Sequence, residues 1–159
     1  MTNIYIDRLG NKHHPKPDTV IRDRKGVWFV LQHNNSILFT HPDYAPLVPD
    51  LPGGGVDTGE TLIEAAYREL YEETELQASS LQIEKTHQQD VHFFAEHDQE
   101  CWNYDQTFFL VTKNLEDLYF EDKRKVEEGY CEWIKTTELN KHTIHHMHQK
   151  ALKAFKLID

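Results

Sequence analysis

The order of elements along the chain predicts an α+β domain in which a mixed β-sheet is flanked by helices. Three observations carry this prediction. Short runs of alternating apolar residues begin at Val27, one strongly periodic helix follows a glycine-rich stretch, and a second periodic segment closes the chain. Strand runs and helical runs interleaved in this way bury their apolar faces by layering helices on a sheet.

Residues 1–18 read as an N-terminal arm or edge strand that ends in the polar run Lys12 to Pro17, and residues 19–159 as a single domain. Val27, Phe29 and Leu31, then Ile37 and Phe39, alternate on either side of His33-Asn34-Asn35-Ser36, which predicts two antiparallel strands and a tight turn. A turn-rich stretch with four prolines leads into Gly53-Gly54-Gly55 and Gly59, expected to form a loop whose backbone is closely approached by something else. Thr61 to about Thr74 is the clearest helix: Thr61 and Glu64 fit a capping box, and Leu62, Ile63, Ala66 and Leu70 recur at helical spacing. Leu81 to Phe94, Gln106 to Thr112 and Cys131 to Lys135 favour strands, and His146 to Lys156 reads as the closing helix.

With 159 residues the chain suits one domain with one principal site. Hydrophobic residues at 38% and charged residues at 28% support a packed core rather than disorder. Seventeen Lys and Arg against 27 Asp and Glu give a formal charge of −10, which argues against nucleic acid polymers and anionic membranes as partners. An anionic small molecule would need cations to approach such a surface. No long apolar run or leader-like segment occurs, so a cytoplasmic protein is expected, as a monomer or a homodimer. Cys101 and Cys131 are too few for a disulfide framework and read as reduced, structural thiols.

The chemistry concentrates between Leu51 and Leu76, where the glycines run into the capped helix. At about 100° per residue, Glu69, Glu72 and Glu73 converge on one patch beside the apolar stripe. Glu69 and Glu73 are a like-charged i,i+4 pair that costs roughly 0.2–0.5 kcal/mol, placed where the helix dipole is already negative. A solvated face is the ordinary reading of a glutamate run. Next to a glycine-rich approach, a divalent cation accounts for the cluster better, since it reverses the sign of every one of those interactions.

This segment resembles the Nudix box, G-x5-E-x7-R-E-U-x-E-E-x-G-U with U aliphatic. Gly54, Glu60, Arg68, Glu69, Leu70, Glu72, Glu73 and Leu76 match eight of its nine fixed positions, and Glu75 stands where the second glycine is expected. Leu51-Pro52 before the glycines and Glu132-Trp133 in a late strand are also family-like. The missing glycine normally ends the helix in a left-handed conformation, so Glu75 either adopts it at roughly 1 kcal/mol or the helix ends differently.

The resemblance implies a Nudix-type α/β/α sandwich and a Mg²⁺- or Mn²⁺-dependent hydrolase acting on the pyrophosphate of a nucleoside diphosphate linked to another group. A (d)NTP or related nucleotide leads, with release of a nucleoside monophosphate. ADP-ribose or nucleotide-sugar hydrolysis and a non-catalytic nucleotide sensor are the alternatives. By the same resemblance Gly54, through its carbonyl, and Glu69, Glu72 and Glu73 are metal ligands. Glu69 could instead activate water, with Arg68 orienting it. Gly53, Gly54, Gly55 and Glu60 face the substrate, and Glu60 is structural or a water-mediated ligand. A further carboxylate often comes from outside the box. Glu127 is the first candidate, Glu128 the second, and Glu96, Asp98 and Glu100 are weaker ones.

His142, His145, His146 and His148 fit no standard zinc spacing and read as surface residues of the last helix, as do His13 and His14 in the arm. Trp28 and Trp133 lie in strand-like runs that explain them by burial, leaving Trp102 and Tyr104 to stack on a base. Mutator-type members read an oxidised base with an asparagine before or within the last helix, and residues 142–156 contain none.

Overall fold

The computed structural model describes residues 3–159. Two short strands, β1 (Tyr5–Ile6) and β2 (Lys12–His13), open it, followed by β3 (Ile21–His33) and β4 (Ser36–Pro42). Then come β5 (Gly53–Gly55), α1 (Leu62–Thr74), β6 (Lys85–Ala95) and β7 (Glu100–Val111). Strands β8 (Arg124–Val126) and β9 (Gly129–Lys135) precede the closing helix α2 (His146–Ala154). The sheet order is β2-β1-β6-β7-β3-β4-β9-β8, with β5 paired to β3 outside this path. Its centre is the parallel pair β3 and β7, in register from Ile21 with Cys101 to Leu31 with Val111.

The alternation on β3 explains the layering. Val27, Phe29 and Leu31 point to the α1 side with Ala65, Ala66 and Leu70, while Trp28 and Val30 point to the α2 side with Met147, Ala151 and Leu152. Both faces of the central strands are therefore apolar, as a sheet covered twice requires. The β3–β4 turn is tight because Asn34 and Asn35 take left-handed backbone angles, φ 50° and 57°, as a two-residue hairpin of this twist demands.

Two expectations need correction. The glycines 53–55 are a strand rather than a loop: they pair antiparallel with β3, Val27 facing Gly54. A Cβ on Gly53 would lie 2.2 Å from the Val27 carbonyl oxygen, so absence of a side chain is what lets this strand close on β3. The histidines are not a surface set either. His145 and His148 are buried, with rings stacked at 4.3 Å, and the His148 Nδ1 accepts the Leu51 N–H at 3.0 Å. A buried backbone donor with no strand partner needs an acceptor, and the imidazole provides it.

The N-terminal segment joins the sheet rather than hanging free of it. Strand β1 lies parallel to β6, Ile6 beside Phe93, and the buried Tyr5 donates its hydroxyl to Asn103 Oδ1 at 2.8 Å. Cys101 and Cys131 are both buried free thiols. No helix among the described residues is long and apolar enough to cross a membrane.

Candidate active site

The capping box predicted for α1 is present: Thr61 Oγ1 accepts the Glu64 N–H at 3.2 Å and Glu64 Oε1 accepts the Thr61 N–H at 3.3 Å. Ala65, Ala66 and Leu70 press the helix onto the sheet, which turns Glu69 and Glu73 toward β5. At the other end Glu75 adopts the left-handed conformation, φ 58°, of the glycine it replaces. Arg124 compensates, its Nε donating to the Thr74 carbonyl at 3.0 Å, where a helix terminus attracts cations.

Arg68 organises the carboxylates. Its guanidinium grips Glu60 with two bonds, 2.7 and 2.8 Å, donates to the Gly55 carbonyl at 2.9 Å, and reaches Glu69 Oε1 at 3.0 Å and Glu72 Oε2 at 3.3 Å. Such a fork is geometry that only arginine supplies. Hydrogen bonds from Arg68, then from the Asp57 N–H, hold the Glu60 carboxyl down at about 2. Both Glu60 oxygens are thereby engaged within the protein.

Glu73 is the opposite case. The Gly53 N–H donates to its Oε1 at 2.6 Å, yet burial, reinforced by Glu69, Asp50 and Glu72, pushes its carboxyl well above the usual range. Burial also raises Glu69, against the pull of Arg68. Two crowded, poorly solvated carboxylates are out of balance as they stand and are oxygen donors suited to a hard divalent cation. A Cβ on Gly54 would lie 2.8 Å from the Glu69 carboxyl carbon, so the glycine is what gives this group its room. The residues present fit a hard divalent cation.

Glu73 and the glycines of β5 border a cavity of about 580 Å³. Gly53, Gly54, Gly55 and Glu73 line it, and so do Trp28, Trp102 and Tyr104. The Arg24 guanidinium sits over the Trp102 ring at 4.5 Å. Glu69, Glu72 and Glu60 lie alongside, joined through Arg68. Glu127 is not on the lining: it stands exposed on the β8–β9 turn, its backbone N–H donating to Glu75 Oε2 at 3.2 Å. Glu96 and Asp98 do line the cavity, whereas Glu100 is engaged by Arg22 at 2.6 Å.

Several lining residues escaped the sequence reading. Arg8 reaches from the N-terminal segment to Asp50 at 3.3 Å and packs over the Tyr44 ring at 5.2 Å. Burial lifts the Asp50 carboxyl to about 7 against the pull of Arg8. No local pattern marks either residue, because each is placed by pairing between distant segments. His145 and His148 carried one usable signal, an i,i+3 spacing in phase with Met147 and Ala151 at the buried face of α2.

A family model described as the NUDIX domain matches residues 12–155. The chain belongs to the NUDIX family. An RNA pyrophosphohydrolase of Rhizobium meliloti (strain 1021) is 37% identical over 73 residues, 45% of this chain and 42% of that protein, so the match spans less than half the relative's length. Among solved structures, a C. elegans Ap4A hydrolase in a binary complex superposes with TM-score 0.60 at 20% identity, covering 84% of this chain and 95% of that one. A MutT NUDIX hydrolase from Burkholderia pseudomallei gives TM-score 0.58 at 23% identity, covering 82% and 96%. At these identities the structures establish the Nudix sandwich. Its box maps onto β5, the Asp57–Thr61 segment and α1, so the sheet and helix of this Nudix domain meet at the carboxylates.

Proposed function

We propose that this Nudix domain is a divalent-metal-dependent pyrophosphohydrolase that cleaves a nucleoside diphosphate linked to another group, foremost a (d)NTP or related nucleotide, releasing a nucleoside monophosphate. One observation supports this above the rest: Glu73 and Gly54, with Glu69 packed against Gly54, stand at a cavity whose walls carry Trp28, Trp102 and Tyr104. Phosphate chemistry and an aromatic base each find suitable surroundings there.

Glu69, Glu72, Glu73 and the Gly54 carbonyl would hold Mg²⁺ or Mn²⁺, which supplies charge neutralisation of the pyrophosphate and an acidified water. Glu73 is fixed for this by the Gly53 N–H, and Glu69 by Arg68. Glu69, held by Arg68 and not tied to the backbone as Glu73 is, could instead of binding the metal accept a proton from the attacking water. Glu60 acts through Arg68 as a positioning residue. Glu127 is offered as an additional oxygen donor, supported by the tie between its turn and Glu75 at the carboxylate end of α1.

A second reading has its own support, since the 37% identical relative is named an RNA pyrophosphohydrolase and the 5′ end of an RNA presents the same polyphosphate. The formal charge of −10 weighs against a long polyanion and for a free nucleotide.

The test is product release from dGTP, 8-oxo-dGTP, ADP-ribose, a nucleotide sugar, a dinucleoside polyphosphate and a 5′-triphosphorylated RNA oligomer, with Mg²⁺, Mn²⁺ or EDTA. Cleavage is expected with either metal, none with EDTA, and none by Glu73→Gln. Absence of cleavage together with metal-dependent thermal stabilisation by one of these compounds would overturn the enzyme in favour of a sensor.

A further inference from the structure

A second group of metal-ligating side chains lies away from the box, where the N-terminal hairpin meets the end of β6. Asp7, His13 and Glu96 each bring one donor atom to within 4.8 Å of the other two. The donors are mixed: two carboxylate oxygens and an imidazole nitrogen. Asp7 is 1% exposed, and its two oxygens are differentiated. Oδ1 takes the Leu9 and Asn11 N–H groups, both at 2.9 Å, which fixes the carboxylate in place, while Oδ2 faces His13 Nε2 at 2.7 Å. The imidazole is itself held, stacked on Phe94 with ring centroids 3.9 Å apart. Glu96 completes the group, its carboxylate oxygen within 4.8 Å of the Asp7 and His13 donors.

Two carboxylates held this close, one of them buried, repel each other unless a proton or a cation lies between them. Among the described residues no Lys or Arg forms an ion pair with either, and His13 is the one ion-pair partner of Asp7. Fixed oxygens and a fixed imidazole are what a metal site has before the metal arrives, with the backbone N–H groups on Oδ1 orienting the ligand from behind. Nitrogen beside two oxygens selects the zinc class of cations over Mg²⁺, which prefers an all-oxygen shell. Glu96 also lines the cavity, so a fourth coordination position would open toward it.

We infer that Asp7, His13 and Glu96 form a second divalent-cation site, of the zinc class, which fastens the N-terminal hairpin to the rim of the cavity. It is independent of the helix carboxylates. Its three ligands come from the β1–β2 turn, from β2 and from the segment after β6, so the ion would reinforce a junction made otherwise by the Ile6–Phe93 register pair and by packing such as His13 on Phe94. The closing effect belongs to metal clips generally: an ion bound only by the folded arrangement stabilises it.

The experiment uses the full chain carrying Glu72→Gln and Glu73→Gln, which removes two of the box ligands. Equilibrium dialysis with Zn²⁺ and visible absorption of the Co²⁺-loaded protein are the readouts, with thermal unfolding alongside. One equivalent of Zn²⁺ is expected to bind and raise the unfolding temperature, with a Co²⁺ spectrum of low coordination number. His13→Ala and Glu96→Gln should each weaken binding about 100-fold or more. Glu96→Gln keeps the size and polarity of the side chain beside Asp7, so it is expected to fold even if His13→Ala loosens the hairpin. No bound Zn²⁺, or binding indifferent to Glu96→Gln in a folded protein, would overturn the site and leave a plain hydrogen-bonded triad.

Discussion

Replacing His148 with Asn removes a titratable ring while leaving an acceptor where Nδ1 now takes the Leu51 N–H at 3.0 Å. In the folded chain, burial first and Arg8 second depress the imidazole from 6.5 to about 3. The unfolded chain therefore binds a proton below pH 6.5 that the folded chain refuses. Stability associated with this group is intact above pH 6.5 and is lost as pH falls toward 3. At about 1.4 kcal/mol per pH unit, the loss between pH 6.5 and 4 comes to roughly 3 kcal/mol. Asn also leaves a gap beside the stacked His145 ring and the tilted Trp28 ring, so the variant should start about 1–3 kcal/mol less stable at pH 7. The assay is urea unfolding of both proteins at pH 7 and pH 4. Carboxylate titrations are common to the two and cancel in the difference. The stability difference should move by roughly 3 kcal/mol in the variant's favour at pH 4, which closes or reverses the initial gap. An equal pH dependence in both would refute the buried, neutral assignment of His148.

Glu73→Gln keeps an acceptor for the Gly53 N–H and removes a crowded charge, so metal-free unfolding temperature should hold or rise while turnover falls by about two orders of magnitude or more. Gly54→Ala places a methyl group 2.8 Å from the Glu69 carboxyl carbon, and kcat should fall by about tenfold or more as that carboxylate is displaced. An unchanged kcat would show that Glu69 has slack. Glu75→Gly relieves the left-handed strain but gives up the bond to the Glu127 N–H, for a net gain of up to about 1 kcal/mol and a rise of about 2–4 °C in thermal midpoint.

Local patterns carried the parts of this molecule that local physics controls. Thr61 and Glu64 announced the helix start, Asn34-Asn35 the hairpin, and the Gly54-to-Leu76 spacing the carboxylate cluster with its arginine. The glycines misled because permissive backbone reads as a loop, whereas Gly53 is permissive so that a strand can close on Val27. Histidines misled in a similar way. A polar ring reads as solvated until a distant backbone donor, here that of Leu51, requires one inside. Arg8, Asp50 and the Asp7–His13–Glu96 group were illegible for a single reason: their partners lie across the β1–β6 pairing and the Pro-rich crossing, separations at which sequence spacing carries no geometry.

The parallel pairing of β3 with β7 has a consequence for how the protein comes into being. During synthesis β3, the glycine strand and the whole of α1 leave the ribosome before β7 exists, yet β7 is the neighbour that fills the sheet beside β3 from Ile21 to Leu31. The acidic helix has Val27, Phe29 and Leu31 of β3 to cover its apolar face at once, but the edge of β3 must wait unpaired until the chain has gone on to Val111. Long-range parallel pairing is slow to form, and the waiting segment is exposed to misassociation meanwhile. Nascent chains halted before β7 should consequently hold the complete box on a β3 strand with an open edge, whereas those extended past β7 close that edge.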